Sequence, residues 1–313
     1  MQISRRMFMK WGGAGLAGAC AFRYTPARAE ADAPIPTRQL GKTGHRVSLF
    51  SLGGEGAIKR PGFEEEAEEI IQRALDLGVN YIDTAPSYGN GLSERNIGRV
   101  MKHRRREVFL ASKTHDRSYD GTMRLLEESL QRLQTDHLDL YQLHNLRVER
   151  DLQRAFARNG AYRALESLKE QGVVRHIGLT GHRDPAILRR GIEQRSFDCI
   201  LMTLNAADSH ALPFQDDVLP DAVDRDLGII AMKVPAHGRI LREDGVPTMA
   251  KALGYVWSFP VHTAIVGISE IAQLEENVAI AKQFEPYSES MRKQIAALTE
   301  HYHEEASWFK YHW

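Results

Sequence analysis

The chain has 313 residues, of which 42% are hydrophobic, and its 41 basic side chains balance its 41 acidic ones. This composition is typical of a folded globular protein and excludes a disordered or fibrous one. The balanced charge offers no overall attraction to nucleic acid or to an anionic membrane, so we expect neither as a partner.

The first residues differ from the rest of the chain. Arg5 and Arg6 form a pair that is followed by an apolar residue and a lysine, and residues 11–22 form a weakly hydrophobic run rich in Gly and Ala. That run is too short to span a bilayer. Residues 27–29, Ala-Arg-Ala, fit a cleavage site. The segment resembles a bacterial twin-arginine export signal, although a frayed basic N-terminus is the alternative.

We therefore expect residues 1–29 to be a signal peptide recognised by the twin-arginine export machinery. Residues 30–313 would form the mature domain, exported already folded to the periplasm or another extracytoplasmic space, with no stable membrane anchor. Cleavage after residue 29 removes Cys20 and leaves Cys199 as a single cysteine, which cannot form an intramolecular disulfide.

Beyond the leader, short apolar strands alternate with amphipathic helices. A hairpin is expected over residues 39–48, around Gly41 and Gly44, and it leads into the first strand of the repeat. Strands are predicted at residues 47–52, 79–82, 108–113, 138–144, 176–180, 199–204, 228–233 and 263–266. Helices are predicted at residues 64–77, 93–100, 121–133, 152–156, 162–170, from 184 onward, 218–227, 248–257 and 271–282.

Eight strands, nearly all followed by a helix, predict a single-domain (β/α)8 or TIM barrel with an N-terminal hairpin. The alternative is a doubly wound sheet, which usually opens with a Gly-rich phosphate loop. The glycines after the first predicted strand, at positions 53, 54 and 56, lack the G-x-G-x-x-G spacing.

In such a barrel the active site lies at the carboxyl ends of the strands. Asp83, Lys113 and His144 end three successive strands, and Tyr88 lies in the loop after the first of them. A buried lysine needs a partner, and Asp83 is the expected one. The ammonium would then lower the pKa of the Tyr88 hydroxyl, and His144 could orient a substrate carbonyl. Taken singly, each residue could equally belong to a structural ion pair or be a capped histidine.

With this set of residues, the sequence resembles the aldo-keto reductases. The resemblance covers almost the whole mature chain and rests on residues 39–48, 83–89, 93–94, 113, 143–145, 177–180, 266–269 and 273–277. It implies a barrel that binds a nicotinamide dinucleotide and reduces aldehydes or ketones by hydride transfer. It also implies that Tyr88 is the general acid, that Lys113 lowers its pKa, that Asp83 holds Lys113 and that His144 positions the carbonyl.

The resemblance further implies a set of cofactor contacts, with several departures from the usual pattern. Thr180 precedes Gly181 where Ser-Asn is usual, Asn205 replaces a glutamine, and Met232 with Lys233 replaces an aromatic residue. The usual cations for a 2′-phosphate are missing. NADPH is expected and NADH is the open alternative. The implied contacts are Gly54, Asp83, Thr180, Asn205, Met232, Lys233, Gly267, Ser269, Gln273, Glu276 and Asn277.

Two alternatives come from other functional classes. One is a barrel that binds the cofactor as a redox sensor or interaction subunit with little turnover. The other is a metal-dependent hydrolase that uses Asp83 and His144. His301 and His303 form an H-x-H pair, but a pair on an exposed helix is a weak metal signal, so no metal is expected.

Overall fold

The structure, a computed structural model, describes residues 33–312. Within them, eight parallel strands form a closed barrel, and most are followed by a helix that packs outside it. The predicted (β/α)8 barrel is therefore confirmed. The predicted signal peptide at residues 1–29 lies outside the described residues. No helix between residues 33 and 312 combines the length and the apolar character needed to cross a bilayer.

The elements are numbered here in chain order. The strands are β1 (Thr37–Gln39), β2 (Arg46–Ser48), β3 (Phe50–Gly56), β4 (Tyr81–Asp83), β5 (Phe109–Thr114), β6 (Leu138–Leu143), β7 (Val174–Gly181), β8 (Cys199–Thr203), β9 (Gly228–Met232) and β10 (Thr263–Ile268). The helices are α1 (Glu64–Asp76), α2 (Leu92–Arg104), α3 (Tyr119–Leu133), α4 (Glu149–Ala155), α5 (Ala161–Glu170), α6 (Pro185–Gln194), α7 (Val218–Asp224), α8 (Met249–Trp257), α9 (Ile271–Lys282), α10 (Glu289–Ala297), α11 (His303–Ala306) and α12 (Trp308–His312).

The barrel strands are mostly apolar because both of their faces are covered. All six residues of β6 are buried, as expected for a parallel strand with a packed barrel interior on one side and helices on the other. Several helices cover the outside of the barrel with one apolar stripe. In α1, Ala67, Ile70, Ile71 and Ala74 are buried, whereas the acidic residues of the first turn complement the helix dipole.

The hairpin β1–β2 closes the amino-terminal end of the barrel. Thr37 pairs with Ser48 and Gln39 with Arg46 in antiparallel register. Leu40, which is fully buried, packs into the inner core of the barrel, and the N–H of Lys42 donates to the carbonyl of Asp226 at 3.0 Å. The predicted hairpin is confirmed.

The prediction of one strand over residues 47–52 is wrong, because the chain changes partners at Leu49. The Leu49 N–H donates to Pro36 O at 2.8 Å, beside the hairpin, whereas its carbonyl accepts from Ala264 N at 3.0 Å, in the barrel. A continuous apolar run thus contains the end of β2, a bend and the start of β3.

Gly41 and Gly44 offer a matched test of how closely the hairpin approaches the barrel. Both have positive φ, but a Cβ on Gly41 would lie 2.5 Å from Gly228 N, whereas a Cβ on Gly44 meets nothing within 4 Å. Gly44→Ala is expected to lower the free energy of unfolding by about 1 kcal/mol, the cost of a left-handed residue. Gly41→Ala should cost about 1–3 kcal/mol more from overpacking. Urea denaturation measures both, and equal losses would contradict the close approach.

The barrel closes by pairing its first strand with its last. Phe50 lies opposite Ala264 and Leu52 opposite Val266 in the parallel register of β3 and β10. Arg38 of the hairpin strengthens the same junction, because its guanidinium donates to Val261 O at 2.5 Å and to Trp257 O at 3.0 Å.

A buried ion pair fastens α12 to the rim of the barrel. Lys310 and Asp208 are both fully buried and form a salt bridge with each other. The Lys310 ammonium also donates to Ala211 O at 2.5 Å and to Leu212 O at 2.8 Å. These three acceptors account for every proton of the ammonium, which is why a lysine can be buried there.

Candidate active site

Three neighbouring strand ends bring together the residues that the sequence singled out. β4, β5 and β6 pair in parallel, with Asp83 opposite Ala111 and Lys113 opposite Gln142. Lys113 is 1% exposed and forms a salt bridge with Asp83. Its ammonium also donates to Thr84 O at 2.9 Å and to the Tyr88 hydroxyl at 3.4 Å. The predicted Asp83–Lys113 pair is confirmed.

The loop that carries Tyr88 is held at both ends. The Tyr88 N–H donates to Ala85 O at 3.0 Å, and the hydroxyls of Thr84 and Ser93 hydrogen-bond at 2.8 Å across the loop. Ser93 and the buried Glu94 lie in the first turn of α2, near the helix start that the sequence indicated. Glu94 does more than start a helix, since it accepts from Ser112 Oγ at 2.8 Å.

His144 lies against Tyr88 at the carboxyl end of β6. The two rings meet edge to face with centroids 5.9 Å apart. The His144 N–H donates to Thr114 O at 2.8 Å, and its carbonyl accepts from the Arg117 guanidinium at 2.7 Å. Both bonds use the backbone of His144, so they fix its position while its ring faces Tyr88.

The electrostatic environment keeps both rings uncharged. Burial raises the pKa of Tyr88 well above its usual value, and the Asp83 and Glu55 carboxylates raise it further. Burial lowers the pKa of His144 well below its usual value, aided by the positive charges of Lys113 and Arg117. Tyr88 therefore keeps its proton and His144 stays neutral around pH 7.

The expectation of a lowered pKa for Tyr88 is wrong for this structure, where the net shift is upward. Because Lys113 is paired with Asp83, its ammonium is outweighed by burial and by the Asp83 and Glu55 carboxylates. Asp83 shows the same balance, because burial raises the pKa of its carboxyl despite the opposing charge of Lys113.

Gln142 is a site residue that the sequence analysis missed. It is fully buried on β6, and its side-chain N–H donates to the second Asp83 oxygen at 3.2 Å. Asp83 thus has one oxygen on Lys113 and the other on Gln142. The available signal was an amide within a mostly apolar strand, but only the strand register shows what it contacts.

Gln142→Leu should lower the free energy of unfolding by about 1–3 kcal/mol, because it leaves one buried Asp83 oxygen without its donor. Gln72→Leu is the control, since Gln72 lies exposed on α1 and its side-chain amide donates to Glu68 at 3.0 Å. That change should stay within about 0.5 kcal/mol. Equal effects of the two changes in urea denaturation would contradict a role for Gln142 in holding Asp83.

A cavity of about 530 Å³ opens beside these residues. It extends from Asp83 and Tyr88, past the ends of β3, β9 and β10, to the first turns of α9. Nine of the predicted cofactor contacts line it, namely Gly54, Asp83, Met232, Lys233, Gly267, Ser269, Gln273, Glu276 and Asn277.

Thr180 and Asn205 do not line this cavity. The Thr180 hydroxyl accepts from Asn145 N at 2.8 Å, and the Asn205 side-chain oxygen accepts from Ala207 N at 3.0 Å. The Asn205 amide nitrogen donates to Lys233 O at 3.1 Å. Both side chains are thus engaged in holding loops of the barrel rim.

Glu55 is the second residue that the sequence analysis missed. Its carboxylate lines the cavity between two lysines, 2.8 Å from Lys59 Nζ and 3.3 Å from Lys233 Nζ. Burial alone would raise the pKa of Glu55, but Lys233 and Lys59 lower it to about 2. Glu55 is therefore ionised at neutral pH and is shared between the two lysines.

The loop after β9 forms one wall of the cavity in an unusual conformation. Lys233, Ala236 and His237 have φ values of 61°, 47° and 59°, in the left-handed region that favours glycine. Left-handed non-glycine residues cost free energy and cluster where function constrains the backbone. This conformation keeps Lys233 beside Glu55.

The cavity fits an extended nicotinamide dinucleotide. Gly53 and Gly54 form part of the wall next to Asp83, and Leu201, Met232 and Ile265 provide an apolar floor against which a ring can pack. At the α9 end, Gln273, Glu276 and the buried Asn277 supply hydrogen-bonding groups.

The described residues, 33–312, contain no group of three or more His, Cys, Asp or Glu side chains suited to a metal ion. His301 pairs instead with Asp244 at 3.2 Å, and the His303 ring bonds to Glu300 O at 2.7 Å.

Comparison with known proteins agrees with the family resemblance found in the sequence. The sequence profile of the Aldo/keto reductase family matches residues 50–248. The chain belongs to this family. This aldo-keto reductase is 29% identical to L-galactose dehydrogenase of Arabidopsis thaliana over 294 residues, which cover 80% of this chain and 89% of that protein. The chain described here is an NAD(P)-dependent oxidoreductase.

Solved structures of the family superpose on this aldo-keto reductase. The holo form of AKR11C1 from Bacillus halodurans matches with a TM-score of 0.72 at 26% identity, over 84% of this chain and 96% of that one. An aldo-keto reductase from Klebsiella pneumoniae, solved in complex with NADPH, matches with a TM-score of 0.71 at 24% identity, over 86% and 96% of the two chains. The second match concerns the fold alone.

Proposed function

We propose that this aldo-keto reductase reduces an aldehyde or ketone to an alcohol with NADPH as the reductant and Tyr88 as the general acid. The observation that carries the proposal is the position of the Tyr88 hydroxyl. It lies 3.4 Å from the Lys113 ammonium, beside the neutral His144 ring and on the wall of the cavity.

The protein's part in the reaction is to orient the carbonyl and to supply a proton. His144, neutral at pH 7, donates a ring N–H to the carbonyl oxygen and turns the carbonyl carbon toward the cavity. When bound, the reduced nicotinamide supplies the hydride that this carbon accepts. As the C=O π bond breaks, the oxygen takes the proton of Tyr88, and Tyr88 later regains a proton from water.

Lys113 acts through Tyr88. The phenolate left after proton transfer lies next to the ammonium, which stabilises the negative charge within a buried site. Asp83 and the Thr84 carbonyl hold the ammonium in place. Gln142 holds the other Asp83 oxygen and so keeps this arrangement fixed before substrate arrives.

NADPH is the proposed cofactor, supported by the reductase of the same fold that was solved with NADPH. NADH is the second candidate, and a specific observation favours it. The cavity residues contributed by α9 are the neutral Gln273 and Asn277 and the acidic Glu276. They include none of the cations that usually hold a 2′-phosphate.

Two measurements test the proposal. Quenching of protein fluorescence during titration with NADPH and with NADH, side by side, gives the cofactor preference. Oxidation of the preferred cofactor in the presence of an aldehyde such as 4-nitrobenzaldehyde then shows reduction. Tight binding without turnover over a broad carbonyl panel would favour the redox sensor, and binding of neither cofactor would refute the reductase.

We also propose that the protein is exported folded by the twin-arginine route. Support comes from the sequence around Arg5 and Arg6 and from the cleavage pattern at residues 27–29. In a bacterium with this pathway, the wild-type precursor should yield a shorter periplasmic form. The Arg5→Lys/Arg6→Lys variant should remain full length in the cytoplasm, and unchanged export of that variant would refute the proposal.

A further inference from the structure

A row of unpaired arginines lies on the segment that follows β6. Arg147, Arg150, Arg154 and Arg158, here called the arginine face, recur every three or four residues through and beyond α4. Three of them are exposed and Arg147 is half-buried. None of the four guanidinium groups forms an ion pair or a side-chain hydrogen bond within residues 33–312.

The arginine face is on the same side of the barrel as Tyr88 and His144. Its segment begins directly after His144 and ends against the loop that follows β5. There, Tyr119 N donates to Asn159 O at 2.8 Å and Ala161 N to Arg117 O at 2.9 Å. Both loops leave the carboxyl ends of their strands, so the segment lies on the rim that carries the active site.

The acidic residues of the segment do not neutralise the arginine face. Glu149 forms a salt bridge with Arg190 at 3.1 Å. Asp151 accepts from the backbone N–H of Arg147 at 2.9 Å and lies 3.7 Å from the Arg117 guanidinium. Both carboxylates are therefore engaged elsewhere, and the exposed charge of α4 is positive.

The charges inside the site do not oppose this field. The two carboxylates of the cavity wall, Asp83 and Glu55, are each paired with a lysine. The charged groups that act on His144 are cationic, and Lys113 and Arg117 have the largest electrostatic effect on it. A cationic rim next to a cavity whose acidic groups are paired favours an anionic ligand.

We propose that the arginine face steers carbonyl substrates that carry a carboxylate into the active site. The inference rests on the proposed reductase function and names its substrate class. Steering by a local charged surface raises association rates by about 10–10³-fold at low ionic strength and weakens as salt screens the charges. The arginine face thus acts on substrate capture, while Tyr88 and His144 act on the bound carbonyl.

The test compares 4-carboxybenzaldehyde with its neutral methyl ester, which share the same ring and aldehyde. The test variant is Arg150→Glu/Arg154→Glu. The matched control is Arg106→Glu/Arg225→Glu, with the same charge change at two exposed arginines that precede β5 and β9, on the opposite rim. Equal thermal unfolding of all three proteins shows that they are folded.

At low ionic strength, kcat/KM for the carboxylate relative to the ester should fall about tenfold in the test variant and stay within about twofold in the control. In the wild type, added salt should lower the ratio toward that of the variant. An unchanged ratio in the test variant, or the same fall in the control, would overturn the proposal.

Calorimetric titration with terephthalate, a dicarboxylate that cannot be reduced at an aldehyde, separates this inference from the function on which it rests. Weaker terephthalate binding in the test variant alone, together with no turnover of either aldehyde, would refute the reductase and keep the carboxylate-attracting surface. Equal terephthalate binding by the wild type and the test variant would refute the steering role, even if the protein is an active reductase.

Discussion

Tyr88→Phe is expected to lower kcat for carbonyl reduction by about 10²–10⁴-fold, the usual contribution of a positioned general acid. The substitution removes only the hydroxyl oxygen and its proton, while the ring that meets His144 edge to face remains. Cofactor affinity, measured by fluorescence quenching, should change by less than about twofold, because the phenol acts on the substrate oxygen.

Tyr119→Phe is the matched control. Its hydroxyl, on α3, donates to Ser167 Oγ at 3.4 Å, and Tyr119 does not line the cavity. Its kcat should equal that of the wild type. A Tyr88→Phe variant that keeps more than a tenth of the wild-type kcat would show that another group delivers the proton.

The pH dependence of turnover follows from the same pKa shifts. Reduction needs protonated Tyr88, and burial raises its pKa well above the usual value, so kcat should show no alkaline fall below about pH 10. His144 acts as a neutral ring, and its lowered pKa keeps it neutral well below pH 6.5. An alkaline limb near pH 7–8 would mean that the pKa of Tyr88 is lowered overall in the complex with cofactor.

Lys310→Met is expected to lower the free energy of unfolding by about 3–5 kcal/mol. The change keeps the length of the side chain but leaves the Asp208 carboxylate buried without its counter-charge, the costly way to break a buried ion pair. Lys293→Met is the control. Lys293 pairs with Glu289 at 2.6 Å, yet both side chains are about three-quarters exposed, so that loss should be within about 1 kcal/mol.

The loss in Lys310→Met should shrink as the pH falls. Burial raises the pKa of Asp208 to about 6 even with Lys310 present, and removing the lysine raises it further. The folded variant then binds a proton that the unfolded chain releases above about pH 4, so its stability rises on acidification by up to about 1.4 kcal/mol per pH unit. Denaturant titrations at pH 5 and pH 7 measure this, and an equal loss at both would contradict it.

The barrel and most of the site could be predicted because they depend on local patterns. Apolar runs that end in Asp83, Lys113 and His144 show both where strands finish and which side chains reach the rim. The change of partner at Leu49 could not be predicted, since an unbroken apolar run carries no mark of a bend that depends on the closed barrel.

The remaining misses have a common cause, which is that they depend on contacts between residues far apart in the sequence. Gln142 and Glu55 become site residues only when the register places them beside Asp83 and Lys233. The direction of the Tyr88 pKa shift depends on how deeply its hydroxyl is enclosed. Lys310 was missed because lysine is rarely buried, and its three acceptors come from residues about a hundred positions away.

The pairing of β3 with β10 has a consequence for synthesis of the chain. The first barrel strand is made roughly 200 residues before the strand that completes its sheet, which is about 10–40 s at ordinary translation rates. During that interval the backbone N–H and C=O groups on one edge of β3 have no permanent partner. Folding of this enzyme should therefore be mainly a post-translational event, and the exposed edge of β3 is where a chaperone or a neighbouring nascent chain would bind.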